Sequence, residues 1–216
     1  MIKVTGIEKS YNSEKVLKGI DLTIEKGEFV SIMGESGSGK STLINIMGGF
    51  LPADNGKVFW DDKDINLLSE KEISNIRCTD MGFVFQSFKL VSTLTAKENV
   101  MLPVMLGGRV GEQTNEFIAQ MIERLNLTEV MNKFPEQLSG GQCQRVALVR
   151  ALGYMPKTII LDEPTGALDS VMEEKVMDLL TEINKKYGTT IIQVTHSAKV
   201  AGYGNRIIRV KDGNIV

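Results

Sequence analysis

The sequence predicts an α/β protein: a parallel sheet packed between helices, with a helical subdomain inserted into it and a small antiparallel sheet on its flank. Three observations lead there. Phe29-Val-Ser-Ile-Met33, Thr158-Ile-Ile-Leu161 and Thr190-Ile-Ile-Gln-Val194 are short, largely apolar runs that each end at a glycine or polar residue, as strands buried on both faces do. Helical periodicity follows the first run and separates the last two, the β–α–β order of a parallel sheet. From about Ser87 to Met155 the strand pattern is absent and helical spacing replaces it.

Composition narrows the class. The chain has 216 residues, 42% hydrophobic and 24% charged, an ordinary globular balance with ample length for a packed core. Lys plus Arg is 25 against 27 Asp plus Glu, a net charge of −2, so no basic excess marks a nucleic-acid partner. Cys78 and Cys143 are too far apart for a paired zinc motif, and with a single histidine to assist they read as reduced cytosolic thiols. No signal-peptide core opens the chain, and no run approaches the roughly 20 apolar residues that span a bilayer.

Taken in order, Ile2 to Val4 reads as a strand of the flanking antiparallel sheet. After the strand at 29–33 comes a glycine loop, then a helix over Ser41 to Met47 that Gly48, Gly49 and Pro52 terminate. Met81-Gly-Phe-Val-Phe-Gln86 is a further strand. In the insertion, Ile118, Met121, Ile122 and Leu125 line one face of a helix, and Gln142 to Leu152 forms another. Met172 to Lys186 repeats the pattern through Val176, Leu179, Leu180 and Ile183, with Ser170 and Glu173 spaced for a capping box. Arg206 to Val210, like Ile2–Val4, is expected to be a strand of the flanking antiparallel sheet. The division is then 1–86 and 156–216 for the core with its antiparallel flank, and 87–155 for the insertion.

The chemistry sits at strand ends. Gly34-Glu-Ser-Gly-Ser-Gly-Lys-Ser41 satisfies G-x-x-x-x-G-K-[ST]. Gly34, Gly37 and Gly39 let the backbone curl so that its N–H groups, those of Ser36 and Ser38 among them, form an anion nest. The helix start, through Lys40, Ser41 and Thr42, adds its positive dipole end. Lys40 reaches the β- and γ-phosphates of a bound nucleotide, and the Ser41 hydroxyl is suited to Mg²⁺. Ile159-Ile-Leu-Asp162-Glu163 supplies the acidic strand end: Asp162 for Mg²⁺, Glu163 to polarise an attacking water.

At this point the chain resembles the nucleotide-binding subunits of ATP-binding cassette (ABC) transporters over essentially its whole length. The resemblance rests on GESGSGKS and LDE, together with LSGGQ at Leu138–Gln142, Gln86, the Gly166-Ala-Leu-Asp169 turn and the histidine of VTHS, His196. It implies a P-loop NTPase (RecA-like) core and assigns roles. Gln86 contacts Mg²⁺ or the lytic water and ties the insertion to nucleotide state. His196 contacts the γ-phosphate as a neutral imidazole, and Tyr11, upstream of the first strands, stacks on adenine. Two copies pair head to tail as an ATP-bound homodimer, so that Ser139, Gly140, Gly141 and Gln142 of one cap the γ-phosphate held by the other. Asp169 signals across that interface. Two positions depart from the usual pattern. Cys143 is expected to be a bystander on the helix surface, and Ser197 replaces a common Asp.

Within the family, GFVFQSFKLVSTLTAKENVMLPVML and EPTGALDS resemble the group serving lipoprotein release, macrolide efflux and antimicrobial-peptide resistance. That implies an ATPase, cytoplasmic and peripheral on the inner face of the cell membrane, working through a separate integral-membrane permease. A cell-division or sensory ATPase that transports nothing shares every catalytic residue. Phe88, Leu90, Val91, Leu94, Met101 and Leu102 are candidates for the permease groove, with Phe88 and Leu90 the expected exposed pair.

Overall fold

The computed structural model describes residues Met1 to Val216. Its strands are β1 (Ile2–Tyr11), β2 (Glu14–Ile24), β3 (Phe29–Met33), β4 (Asn55–Trp60), β5 (Lys63–Asp64), β6 (Met81–Val84), β7 (Thr158–Asp162), β8 (Thr190–Val194), β9 (Arg206–Lys211) and β10 (Asn214–Ile215). Its α-helices are α1 (Lys40–Met47), α2 (Glu70–Thr79), α3 (Ala96–Leu106), α4 (Glu112–Arg124), α5 (Gly140–Leu152), α6 (Ser170–Tyr187) and α7 (Ala198–Ala201).

A six-stranded sheet runs β10-β9-β3-β8-β7-β6, and a four-stranded sheet runs β2-β1-β4-β5. The first is parallel from β9 to β6. The second is antiparallel throughout. Its β1–β2 hairpin turns on Asn12 and Ser13, both at positive φ (48° and 69°), the two-residue geometry that matches strand twist. Side-chain alternation along the parallel strands builds a core on each face. Val30, Ile32, Ile160, Ile192 and Val194 pack toward α1 and the antiparallel sheet. Phe29, Val84, Ile159, Leu161 and Ile191 pack toward α5, α6 and the helices between β6 and β7.

Four expectations need correction. β9 does not join β1 in the antiparallel sheet; it pairs parallel with β3, Val30 opposite Arg206 through Met33 opposite Arg209. It lies next to the sheet's end strand, and its alternating burial imitates that of a half-solvated antiparallel strand. α6 begins at Ser170, so Asp169 is its cap, accepting from the N–H of Val171 (3.0 Å) and Met172 (2.9 Å), and the Ser170–Glu173 box does not form. Phe88 and Leu90 are half-buried against the larger core, whereas Val91, Met105 and Leu106 are exposed.

The fourth correction concerns Cys143. It is buried rather than on the surface, its Sγ 3.6 Å from the Pro135 carbonyl under the single turn Pro135–Gln137. Burial pushes its thiol above the ordinary range, and a thiol is a poor nucleophile. A maleimide should therefore label Cys78, which is partly exposed, in the native protein and Cys143 only after unfolding. Equal labelling of both in the folded state would contradict the packing.

Candidate functional site

The loop between β3 and α1 is shaped by close approaches. A Cβ on Gly34 would overlap the Val210 carbonyl oxygen of β9. Gly39 sits at φ 100°, and a Cβ there would lie 2.7 Å from the Leu17 side chain. α1 then starts with no side-chain cap, and the N–H groups of Gly39, Lys40, Ser41 and Thr42 have no acceptor within the chain. They form the positive end of a helix aimed at an anion. Lys40 is buried and arches back over the loop, donating to the carbonyls of Gly34 (2.8 Å) and Glu35 (2.6 Å). Ser38 lies buried beneath it, and Ser36 and Gly37 are at the mouth.

Asp162 ends β7 next to that helix start, and the Ser41 hydroxyl donates to its Oδ1 at 3.2 Å. Desolvation pushes the Asp162 carboxyl above the usual range, opposed by the Ser41 bond and reinforced by the charge of Glu163. A dry carboxylate beside a hydroxyl, open to a phosphate cradle, is a hard-oxygen donor set that fits Mg²⁺, which takes few protein ligands and completes its shell with phosphate and water.

Glu163 follows at φ 51°, a left-handed conformation costing on the order of 1–3 kcal/mol for a residue with a Cβ. Its N–H donates to the Val194 carbonyl (3.0 Å), and its carbonyl accepts from Gln144 Nε2 (2.6 Å) and the Gly166 N–H (3.2 Å). This aims its carboxylate at His196, with Oε1 2.9 Å from Nδ1. An ionised carboxylate can only accept, so Nδ1 carries the proton. With its proton on Nδ1 the ring offers Nε2 as an acceptor, so the expected donation to a γ-phosphate calls for the other tautomer and release of Nδ1 from Glu163.

The cleft thus formed has a volume of about 670 Å³, within the range of small-ligand sites. It gathers Tyr11, Ser36, Gly37, Gly39, Lys40, Ser41, Thr42, Gln86, Asp162, Glu163 and His196. Tyr11 is the last residue of β1, not upstream of the strands, and is 45% exposed at the lip. Gln86 is exposed two residues beyond β6. Gly34 and Ser38 do not line the cleft.

Ser139, Gly140, Gly141, Gln142 and Asp169 are not in it. Ser139 caps α5 reciprocally: its Oγ accepts from the Gln142 N–H (3.2 Å) and Gln142 Oε1 accepts from the Ser139 N–H (2.8 Å). That leaves the Ser139 hydroxyl hydrogen and the N–H groups of Gly140 and Gly141 available at an exposed helix start. Gly141 lies against the turn before α6, where a Cβ would stand 2.9 Å from the Ala167 carbonyl oxygen. The chain therefore presents two phosphate-type donor arrays, of which only one serves its own cleft.

Two further residues escaped the sequence reading. Gln144 is buried between α5 and the Glu163–Ala167 turn. Arg150 donates to the carbonyls of Phe88 and Lys89 (2.7 Å each), both at positive φ, and so fastens the segment after Gln86 to α5. The available signal for Gln144 was a polar side chain on the buried face of α5, whose other buried residues are apolar.

Known proteins resemble this chain over its whole length. The family model described as ABC transporter matches residues 17–166. The bacitracin export ATP-binding protein BceA of Halalkalibacterium halodurans is 42% identical over 219 residues, covering 100% of this chain and 87% of that protein. The lipoprotein-releasing system ATP-binding protein LolD of Aquifex aeolicus is also 42% identical, covering 100% of this chain and 96% of that protein. The dimeric ATP-binding cassette MJ0796, solved in a post-hydrolysis state bound to ADP and Pi, superposes with a TM-score of 0.94 at 43% identity, over 100% of this chain and 96% of that chain. The same cassette is a protein of Methanocaldococcus jannaschii. Such agreement, running the length of the chain, places it among the ATP-binding proteins of the ABC transporter family.

Proposed function

We propose that two copies of this chain hydrolyse ATP between them and that their closure drives a separate membrane permease. One observation carries the reading: a complete phosphate cradle in one cleft, and a second set of free donors at Ser139–Gly141 outside it. A twofold dimer brings each set onto the other copy's cleft. The γ-phosphate is then held from both sides, and its loss by hydrolysis releases the pair.

The roles follow from the geometry. Lys40 exchanges two carbonyl partners for β- and γ-phosphate oxygens, and the free N–H groups of α1 complete the cradle. Ser41, Asp162 and Gln86 are the residues that would hold Mg²⁺, which supplies neutralisation of phosphate charge. Glu163, held by His196, takes the proton of the attacking water. Tyr11 offers a ring face to the base. Asp169, capping α6 beside α5, carries the state of one site toward the other. We take residues 87–155 as the inserted helical subdomain and 1–86 with 156–216 as the core.

No helix is long and apolar enough to cross a membrane. We place the chain on the inner face of the cell membrane through its permease, in export, antimicrobial-peptide resistance or mechanical transmission. A groove of about 400 Å³ between α2, α3, β6 and α5 fits a short permease helix. Its floor is Phe50, Phe83 and Phe85 in mutual edge and tilted contact, with the Arg77 guanidinium 4.8 Å over the Phe50 ring. Leu106 stands at its rim, 68% exposed. Leu106→Asp should leave stability within about 0.5 kcal/mol and basal ATPase unchanged, while abolishing co-purification with its membrane subunit. Undiminished co-purification would remove the groove from the interface.

A further inference from the structure

We propose that Gln144 is a positioning residue for hydrolysis, acting through the backbone of Glu163. The proposal rests on the reading of Glu163 as the base. Gln144 lies in the second turn of α5, is 2% exposed, and uses both ends of its amide on one turn of chain. Its Nε2 donates to the Glu163 carbonyl at 2.6 Å, and its Oε1 accepts from the Ala167 N–H at 2.8 Å. The turn between those points contains a residue, Glu163, in a left-handed conformation that a side chain with a Cβ adopts only when its surroundings impose it.

The imposing contacts can be counted. The Glu163 N–H is fixed by Val194 of β8, and its carbonyl by Gln144 and, at a longer 3.2 Å, by Gly166. Val194 is strand backbone and Gly166 belongs to the same turn, so Gln144 is the one side chain from another element that holds the Glu163 backbone, His196 touching only its carboxylate. Without it, Glu163 is free to relax toward ordinary φ, and its carboxylate swings away from His196 and from the line of attack. The Lys40 cradle stands on β3 and α1 and does not depend on this amide. Loss of Gln144 therefore acts on the chemical step and spares binding.

The same amide joins sites that the dimer model needs to move together. α5 carries Ser139 at its start, Gln144 one turn on, and Arg150 on the segment after Gln86. A phosphate drawn onto Ser139 of one copy thus pulls on a helix bonded to that copy's own base. Gln144 sets the base according to whether α5 is engaged.

The test is a double-mutant cycle of Gln144→Met, close in volume and without hydrogen bonds, with Glu163→Gln. Both are assayed for ATP affinity and for single-turnover hydrolysis, normalised to the nucleotide-binding fraction. Gln144→Met alone should bind ATP as wild type does and hydrolyse it about ten- to a hundredfold more slowly. In the Glu163→Gln background it should cost nothing further, since the group it positions is gone. A loss that multiplies in that background, or a weakened ATP affinity with kcat intact, overturns the proposal. If Gln144→Met does not fold, Gln144→Glu keeps the size and the acceptor for Ala167 while removing the donor to Glu163, and should show the same split. Near-wild-type turnover by Glu163→Gln itself would instead defeat the reading of Glu163 as the base.

Discussion

Glu163→Gln should bind ATP normally, hydrolyse it about 10²- to 10⁴-fold more slowly, and accumulate as an ATP-bound dimer. The substitution keeps the shape of the side chain and leaves Lys40, Ser41 and the free N–H groups of α1 untouched, so the cradle for ATP is intact. It removes the one thing an amide cannot do, which is to accept a proton from water near neutral pH. The bond to His196 also changes character, because a neutral amide oxygen holds the Nδ1 proton less firmly than a carboxylate does. With the γ-phosphate neither cleaved nor released, the donors on both sides stay engaged and the pair does not separate. Phosphate release under single-turnover conditions and sizing with and without ATP check both halves. Turnover near wild type, or no dimer at saturating ATP, would contradict the assignment.

Much of this site was legible because its chemistry demands residues in sequence order. A loop that must bend its backbone around phosphate needs glycines at Gly34, Gly37 and Gly39, and a helix must follow at once. A buried parallel strand must announce itself as Thr158-Ile-Ile-Leu161 and can end in Asp162-Glu163 only at its tip. Local alternation misassigned β9, since its burial pattern is that of any half-solvated strand and says nothing about which strand lies beside it. The cap of α6 was misplaced by one residue for a related reason: Asp169 and Ser170 both suit the position, and the turn from Glu163 decides between them. The capping boxes Ser69–Glu72 and Thr95–Glu98, which open α2 and α3, are local signals legible in the sequence. Cys143 and Gln144 were out of reach locally, because what covers them arrives from eight and nineteen residues away.

The division of labour between cleft and helix start is the larger consequence. Ser139, spent as an acceptor on its own helix, still has a proton to give, and the adjoining N–H groups have no partner in their own chain. A second copy is the simplest source of the anion they suit. On the proposed pairing, each composite site would be built from Lys40 of one copy and Ser139 of the other, and neither copy alone would complete it.

Mixing Lys40→Ala chains with Ser139→Arg chains tests this most directly. Each pure mutant damages both sites of its dimer. In a mixed dimer both lesions fall in one composite site and the other is whole. With random pairing at equal concentrations half the dimers are mixed, so activity should rise to about a quarter of wild type if the sites act independently. Activity no higher than that of either pure mutant, with mixed dimers verified, would contradict shared sites and the account built on them.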